Sequence, residues 1–181
     1  TRPEGGVPLR VRIKIILCLI VFAVWFAACA KQPPQAVEIM VYPVDDATGV
    51  LTQSGVEVDR AVTGNGGGSL RVTATEPTTF RLYETGDIDI ENARLIYQAK
   101  IKTADVNGEV YLEMWCHFPG KGEFFSRALH APISGTVDWS TQETPFFLKK
   151  GENPDNVKLN LVVNGSGTAW IDDIHLIKGS L

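Results

Sequence analysis

Leu95-Ile96-Tyr97-Gln98-Ala99-Lys100-Ile101-Lys102 alternates between two kinds of residue, and that alternation decides the fold. Successive side chains of a β-strand point to opposite faces. Leu95, Tyr97, Ala99 and Ile101 therefore share one face, while Gln98, Lys100 and Lys102 point to water. Val157 to Val163 repeats the pattern, with Val157, Leu159, Leu161 and Val163 facing in and Lys158 and Asn160 facing out. A strand that buries one face only belongs to an antiparallel sheet with one wet side, and two such sheets packed together bury both apolar faces.

Outward from these two stretches, strands are predicted at short, fairly regular spacing. They are Val37–Tyr42, Ser69–Ala74, Thr78–Tyr83, Ala93–Thr103, Gly108–Phe118, Phe124–Leu129, Thr144–Lys149, Val157–Val163 and Gly167–Ile177. Pro43 to Thr52 reads as loop. Gly64-Asn65-Gly66-Gly67-Gly68 reads as a turn that must take positive φ or pass close to another backbone. No segment longer than about ten residues carries a helical period. The pattern predicts an all-β domain, a two-sheet antiparallel β-sandwich.

Three stretches carry a family resemblance. Gly68-Ser69-Leu70-Arg71-Val72 resembles the second-strand signature of galactose-binding-like jelly rolls, the fold of many carbohydrate-binding modules. Gly135-Thr136-Val137-Asp138-Trp139 resembles the turn entering a later strand of those domains, and Gly167-Thr168-Ala169-Trp170-Ile171-Asp172-Asp173-Ile174-His175-Leu176 their closing strand. Order and spacing agree from roughly Gly55 to Lys178. The resemblance implies a jelly roll that binds carbohydrate or serves as a structural module. It also implies a structural Ca²⁺ held by Asp172, with Glu57 or Asp59 as the acidic partner, although the family's usual Gly-Phe-Glu turn is missing.

The residues themselves raise the question of the paired aspartates independently. Strict alternation groups Asp172 with Trp170 and Ile174, and Asp173 with Ile171 and His175. One carboxylate then lies on a largely apolar face, where an unpaired charge is costly. A metal ion would satisfy it, since Ca²⁺ takes oxygen ligands; so would a capping or salt-bridging pair.

The candidate ligand surface lies on Tyr111-Leu112-Glu113-Met114-Trp115-Cys116-His117-Phe118. Leu112, Met114, Cys116 and Phe118 form the core face, leaving Tyr111, Glu113, Trp115 and His117 on the other. An aromatic ring can stack on the C–H face of a pyranose while carboxylate and imidazole groups bond its hydroxyls. After the Gly120-Lys121-Gly122 turn, either Phe125 and Arg127 or Phe124 and Ser126 extend that surface. The bland alternative is a second small core, with Trp115 lying under a neighbouring loop.

Catalytic signatures are missing. His117, His130 and His175 show no HExxH spacing, no G-x-S-x-G elbow occurs, and a small sandwich with short loops offers little cleft for two opposed carboxylates. The domain reads as a binding module rather than an enzyme. The chain is 181 residues long with 17 Lys and Arg against 21 Asp and Glu. That balance argues against nucleic acid, which needs clustered cations. With Cys18 and Cys29 in the N-terminal segment, Cys116 is a lone thiol predicted to be core, with no disulfide framework.

The N-terminal segment carries an address. Arg10, Arg12 and Lys14 precede the apolar run Ile15 to Phe26, which ends in Ala27-Ala28-Cys29. A basic region, an apolar core and small residues before the cleavage point make a secretory signal. The ending resembles the bacterial lipoprotein signal, which implies a signal peptide over 1–28, lipidation of Cys29 and a tether over 29–36 ahead of a domain at 37–181. The alternative is an uncleaved membrane helix, for which about 16 uncharged residues fall short of the ~20 that span a bilayer. The expected location is the bacterial cell envelope, lipid-anchored, facing the periplasm or at the surface side of the outer membrane. The partners are then the membrane and either a glycan or an envelope protein, the second making the domain a scaffold.

Overall fold

The computed structural model describes residues 36–181. The expected signal peptide, Cys29 and nearly all of the expected tether lie outside the described residues. Eight strands follow one another: β1 (Val37–Tyr42), β2 (Val56–Asp59), β3 (Ser69–Ala74), β4 (Thr78–Gly86), β5 (Ala93–Phe118), β6 (Gly122–Arg127), β7 (Ile133–Leu148) and β8 (Asn156–Gly179). All pairings are antiparallel, and no helix occurs among the described residues.

The scaffold is the β5–β8 pair, matched from Arg94↔Gly179 at one end to His117↔Asn156 at the other. β5 has 26 residues and β8 has 24. At about 3.3 Å per residue a straight β5 would reach roughly 85 Å, far longer than a domain of this size. Both strands bend instead. Positive φ at Asp105 and Gly108 on β5, and at Gly165 and Gly167 on β8, marks the bend, and the ladder register shifts between Ala104 and Asn107. Here the two backbones press together: a Cβ at Gly108 would sit 2.2 Å from the Asn164 carbonyl oxygen, and one at Gly165 2.0 Å from that of Asn107. Only glycine permits that approach.

The bend makes two layers. In the first, the C-terminal half of β8 pairs with β1 and β3, β3 pairs with β2, and the N-terminal half of β5 pairs with β7. In the second, the N-terminal half of β8 pairs with β4 and the C-terminal half of β5 with β6. The inner faces meet in one core containing Leu95, Tyr97, Ile101, Leu112, Met114, Leu159, Leu161, Ile171 and Leu176. Phe118 of the second layer lies 5.9 Å from Phe146 of the first. The expected two-sheet antiparallel sandwich is present.

Several expected boundaries change. β1 and β3 match their predicted spans. Ala93–Thr103 and Gly108–Phe118 are one strand, as are Val157–Val163 and Gly167–Ile177, because the glycines between them bend the strands without ending them. Gly135–Trp139 lies inside β7 rather than in a turn before it, and β2 was not anticipated. Cys116 is buried as expected, and burial pushes its thiol up to about 12, which makes it inert.

Candidate functional site

The outer face of the second layer assembles the sequence candidates. Register places three rows across its strands: Arg81–Asn160–Glu113–Arg127, then Glu84–Lys158–Trp115–Phe125, with Asn156–His117–Glu123 beside them. The tight β5–β6 hairpin, with Phe118 opposite Gly122, fixes which β6 residues share this face. They are Phe125 and Arg127, not the alternative Phe124 and Ser126. Phe124 instead packs edge-on to Phe118 at 5.9 Å.

Glu113 organises the surface. Although it leaves the core face, it is only 4% exposed. Its Oε1 accepts hydrogen bonds from Trp115 Nε1 (2.7 Å) and Asn160 Nδ2 (2.9 Å), and its Oε2 accepts one from Arg127 Nε (2.6 Å). Burial raises the carboxyl pKa, but these donors outweigh it and hold it below the ordinary glutamate value. The expected role of Glu113 as a free hydroxyl-binding carboxylate is therefore corrected: it is buried and accepts three hydrogen bonds from its own chain, orienting its neighbours.

Those neighbours form the accessible part. Trp115 is half-buried, with its ring 5.0 Å from that of Phe125 at an interplanar angle of 48°. Phe125 is 51% exposed. The Arg127 guanidinium lies over the same ring at 4.4 Å, a cation–π contact. His117 sits at the margin, where its Nδ1 is 2.5 Å from Asp155 Oδ1. Lys158 pairs with Glu123. Tyr111 is corrected as well: at 9% exposure it joins the core cluster and is not a surface ligand. Asn160, Lys158 and Phe125 complete the surface. Alternation alone put Asn160 and Lys158 outward, but only register shows them beside Glu113 and Trp115.

The paired aspartates resolve differently from strict alternation. Asp173 takes φ 54°, and the β5–β8 register slips between Gln98↔His175 and Lys100↔Asp172. This bulge resets the parity, so Ile171 and Ile174 are both buried and neither carboxylate enters the core. Asp172, 1% exposed, accepts hydrogen bonds from the backbone N–H groups of Gly64 (2.8 Å), Asn65 (2.7 Å) and Asp173 (2.6 Å). The glycine-rich turn is thus folded back onto the strand. Asp173 pairs with Lys100 (3.1 Å) and His175 (3.0 Å).

This donor set does not fit the calcium expectation. Three N–H dipoles point at the Asp172 oxygens, where a cation would need oxygen ligands. Glu57 pairs with Arg71 at 2.7 Å, and Asp59 caps Ala61 and Val62 while accepting from Trp170 Nε1 at 2.9 Å. Among the described residues no group of three His, Cys, Asp or Glu side chains is placed to hold a metal ion.

Comparison with known proteins adds the fold. No family model matches the chain, and no curated protein matches it in sequence. Among solved structures it is similar to the CBM22-1 xylan-binding domain of Paenibacillus barcinonensis Xyn10C, with 13% identity over 84% of this chain and 99% of that one and a TM-score of 0.59. It is also similar to the CBM22-1–GH10 modules of Clostridium thermocellum xylanase 10B complexed with xylohexaose (10% identity, 80% of this chain, TM-score 0.58), of whose length it spans 29%. A third likeness is to a family 16 carbohydrate-binding module, at 13% identity over 72% of this chain and 88% of that one with a TM-score of 0.51. At such identities the likeness is one of fold: this chain has the β-sandwich of carbohydrate-binding modules.

Proposed function

We infer that the chain is a non-catalytic module that binds carbohydrate on the outer face of the β4–β8–β5–β6 layer, and that Cys29 anchors it by lipid to a bacterial envelope membrane. One observation carries the binding reading: Trp115 and Phe125 form a partly exposed aromatic pair whose orientation is fixed from beneath by the buried Glu113 network. A ring held in place before binding costs little ordering entropy when a sugar stacks on it. Polar groups stand around the pair in His117, Lys158 and Arg127. The xylan-binding domain and the other fold neighbours support the ligand class. The anchoring rests on Ala27-Ala28-Cys29 after its apolar run.

A glycan array probed with the purified chain tests the binding. Retention of at least one polysaccharide, lost in Trp115→Ala with the melting curve unchanged, supports the reading. A blank array across neutral and acidic glycans overturns it and favours an envelope scaffold that presents the same face to a protein.

A further inference from the structure

Arg127 is held in an unusual way for a surface arginine. It meets Glu113 through Nε alone, side-on, at 2.6 Å. Neither of its terminal nitrogens is hydrogen-bonded by a described residue. The guanidinium plane rests on Phe125 at 4.4 Å, and the side chain is 35% exposed. The group is therefore held by a buried carboxylate at Nε and an aromatic ring at its face, which leaves the pair of Nη donors open on the strand neighbouring Trp115. Such a pair matches the two oxygens of a carboxylate, with which arginine forms bidentate, charge-assisted bonds. On the opposite flank, Arg81 closes the same row across β4 and β8, its Nη2 only 3.6 Å from Glu84.

We propose that this site selects acidic glycans: Arg127 grips the carboxylate of a uronic acid whose ring, or whose neighbour's ring, stacks on Trp115 and Phe125. This rests on the carbohydrate-binding reading above and names its substrate class. The hydroxyls of a neutral sugar offer neither Nη a charged acceptor. A uronate satisfies both. Glu113 lies beneath the surface and accepts from Trp115, Asn160 and Arg127, so the uronate is held by the directed pair of Nη donors rather than by a surplus of positive charge. The other cations of this face are turned to its own acids, Lys158 to Glu123 and Arg81 towards Glu84, which leaves the Arg127 Nη pair as the group aimed at a ligand carboxylate.

The test uses matched ligands, so that the protein is unaltered. Glucuronic-acid-substituted xylan and its carboxyl-reduced form, and polygalacturonate and its methyl ester, are compared by affinity electrophoresis with the full chain. The acidic member of at least one pair is expected to bind about tenfold more tightly than its neutral partner. Arg127→Lys keeps a cation against Glu113 but removes the two-pronged donor, and should erase that preference while the melting curve holds. Equal binding within each pair, or a preference that survives Arg127→Lys, overturns the inference and leaves the carbohydrate reading standing. No binding to any of the four ligands overturns this inference, and the glycan array then decides the carbohydrate reading by itself.

Discussion

At the scale of single residues, two buried carboxylates do opposite work. Glu113 fixes the site; Asp172 fixes a loop. Both were legible as chemistry-bearing residues, but their roles were not, because a role depends on what lies across the strand. Asn160 and Arg127 flank Glu113 only through register, and Gly64 and Asn65 lie more than a hundred residues from Asp172. Since the Glu113 pKa is depressed in the fold, its stabilisation is present above the ordinary glutamate pKa and is lost as pH falls through the lowered value. Glu113→Gln should cost roughly 1–3 kcal/mol at pH 7, the range for spoiling a buried charged network. Urea melts should show that deficit shrinking progressively below about pH 4, as the wild-type carboxylate gains its own proton. Asp172→Ala strands three backbone donors and should lower stability by a similar amount. EDTA should leave the wild-type melting temperature unmoved; a drop of several degrees on chelation, reversed by Ca²⁺, would show that the fold does hold the ion.

At the scale of elements, alternation identified every strand but β2 and which of their faces are apolar, but not where the strands end. Glycine, asparagine and aspartate in Asp105–Gly108 and Asn164–Gly167 carry the composition of turns, yet here they bend two paired strands through the edge of the sandwich. The bulge at Asp173 likewise escapes a rule of strict period two. Tyr111 and Glu113 misled for a related reason, since a sheet's outer face can be filled locally by its own side chains. The most testable element is β1, an edge strand that pairs only with β8. Glu38 on β1 reaches His175 Nδ1 at 2.8 Å, while Asp173 meets Nε2 at 3.0 Å and itself pairs with Lys100. Partial burial lowers the imidazole pKa, but the two carboxylates more than reverse this and raise it above the ordinary histidine value. A raised folded pKa gives stabilisation that is complete below the unfolded value and lost as pH rises through the folded one. Hydrogen-exchange protection of the Val37–Tyr42 amides, corrected for intrinsic rate, should therefore fall as pH rises above about 6.5, and His175→Gln should flatten that dependence. Protection in the wild type that holds steady across this range would show that the clasp contributes nothing.

At the scale of the whole molecule, the folded-over β5–β8 pair gives the sandwich two outer faces, each with tryptophan. On the first layer, Trp170 bonds Asp59 and has Arg71 6.0 Å above its ring, and Trp139 packs closely against Gly64. Those rings are half-buried, as Trp115 is, but neither has a largely exposed aromatic partner beside it among the described residues. On the second layer, half-buried Trp115 lies 5.0 Å from Phe125, which is 51% exposed. The proposed binding therefore falls on one face, and a titration of wild type, Trp115→Ala and Trp170→Phe against the polysaccharide retained most strongly decides it. The predicted result is about a tenfold or greater loss of affinity in Trp115→Ala, with its melting curve intact, and no change in Trp170→Phe. Equal affinity in wild type and Trp115→Ala, or a loss confined to Trp170→Phe, would contradict it.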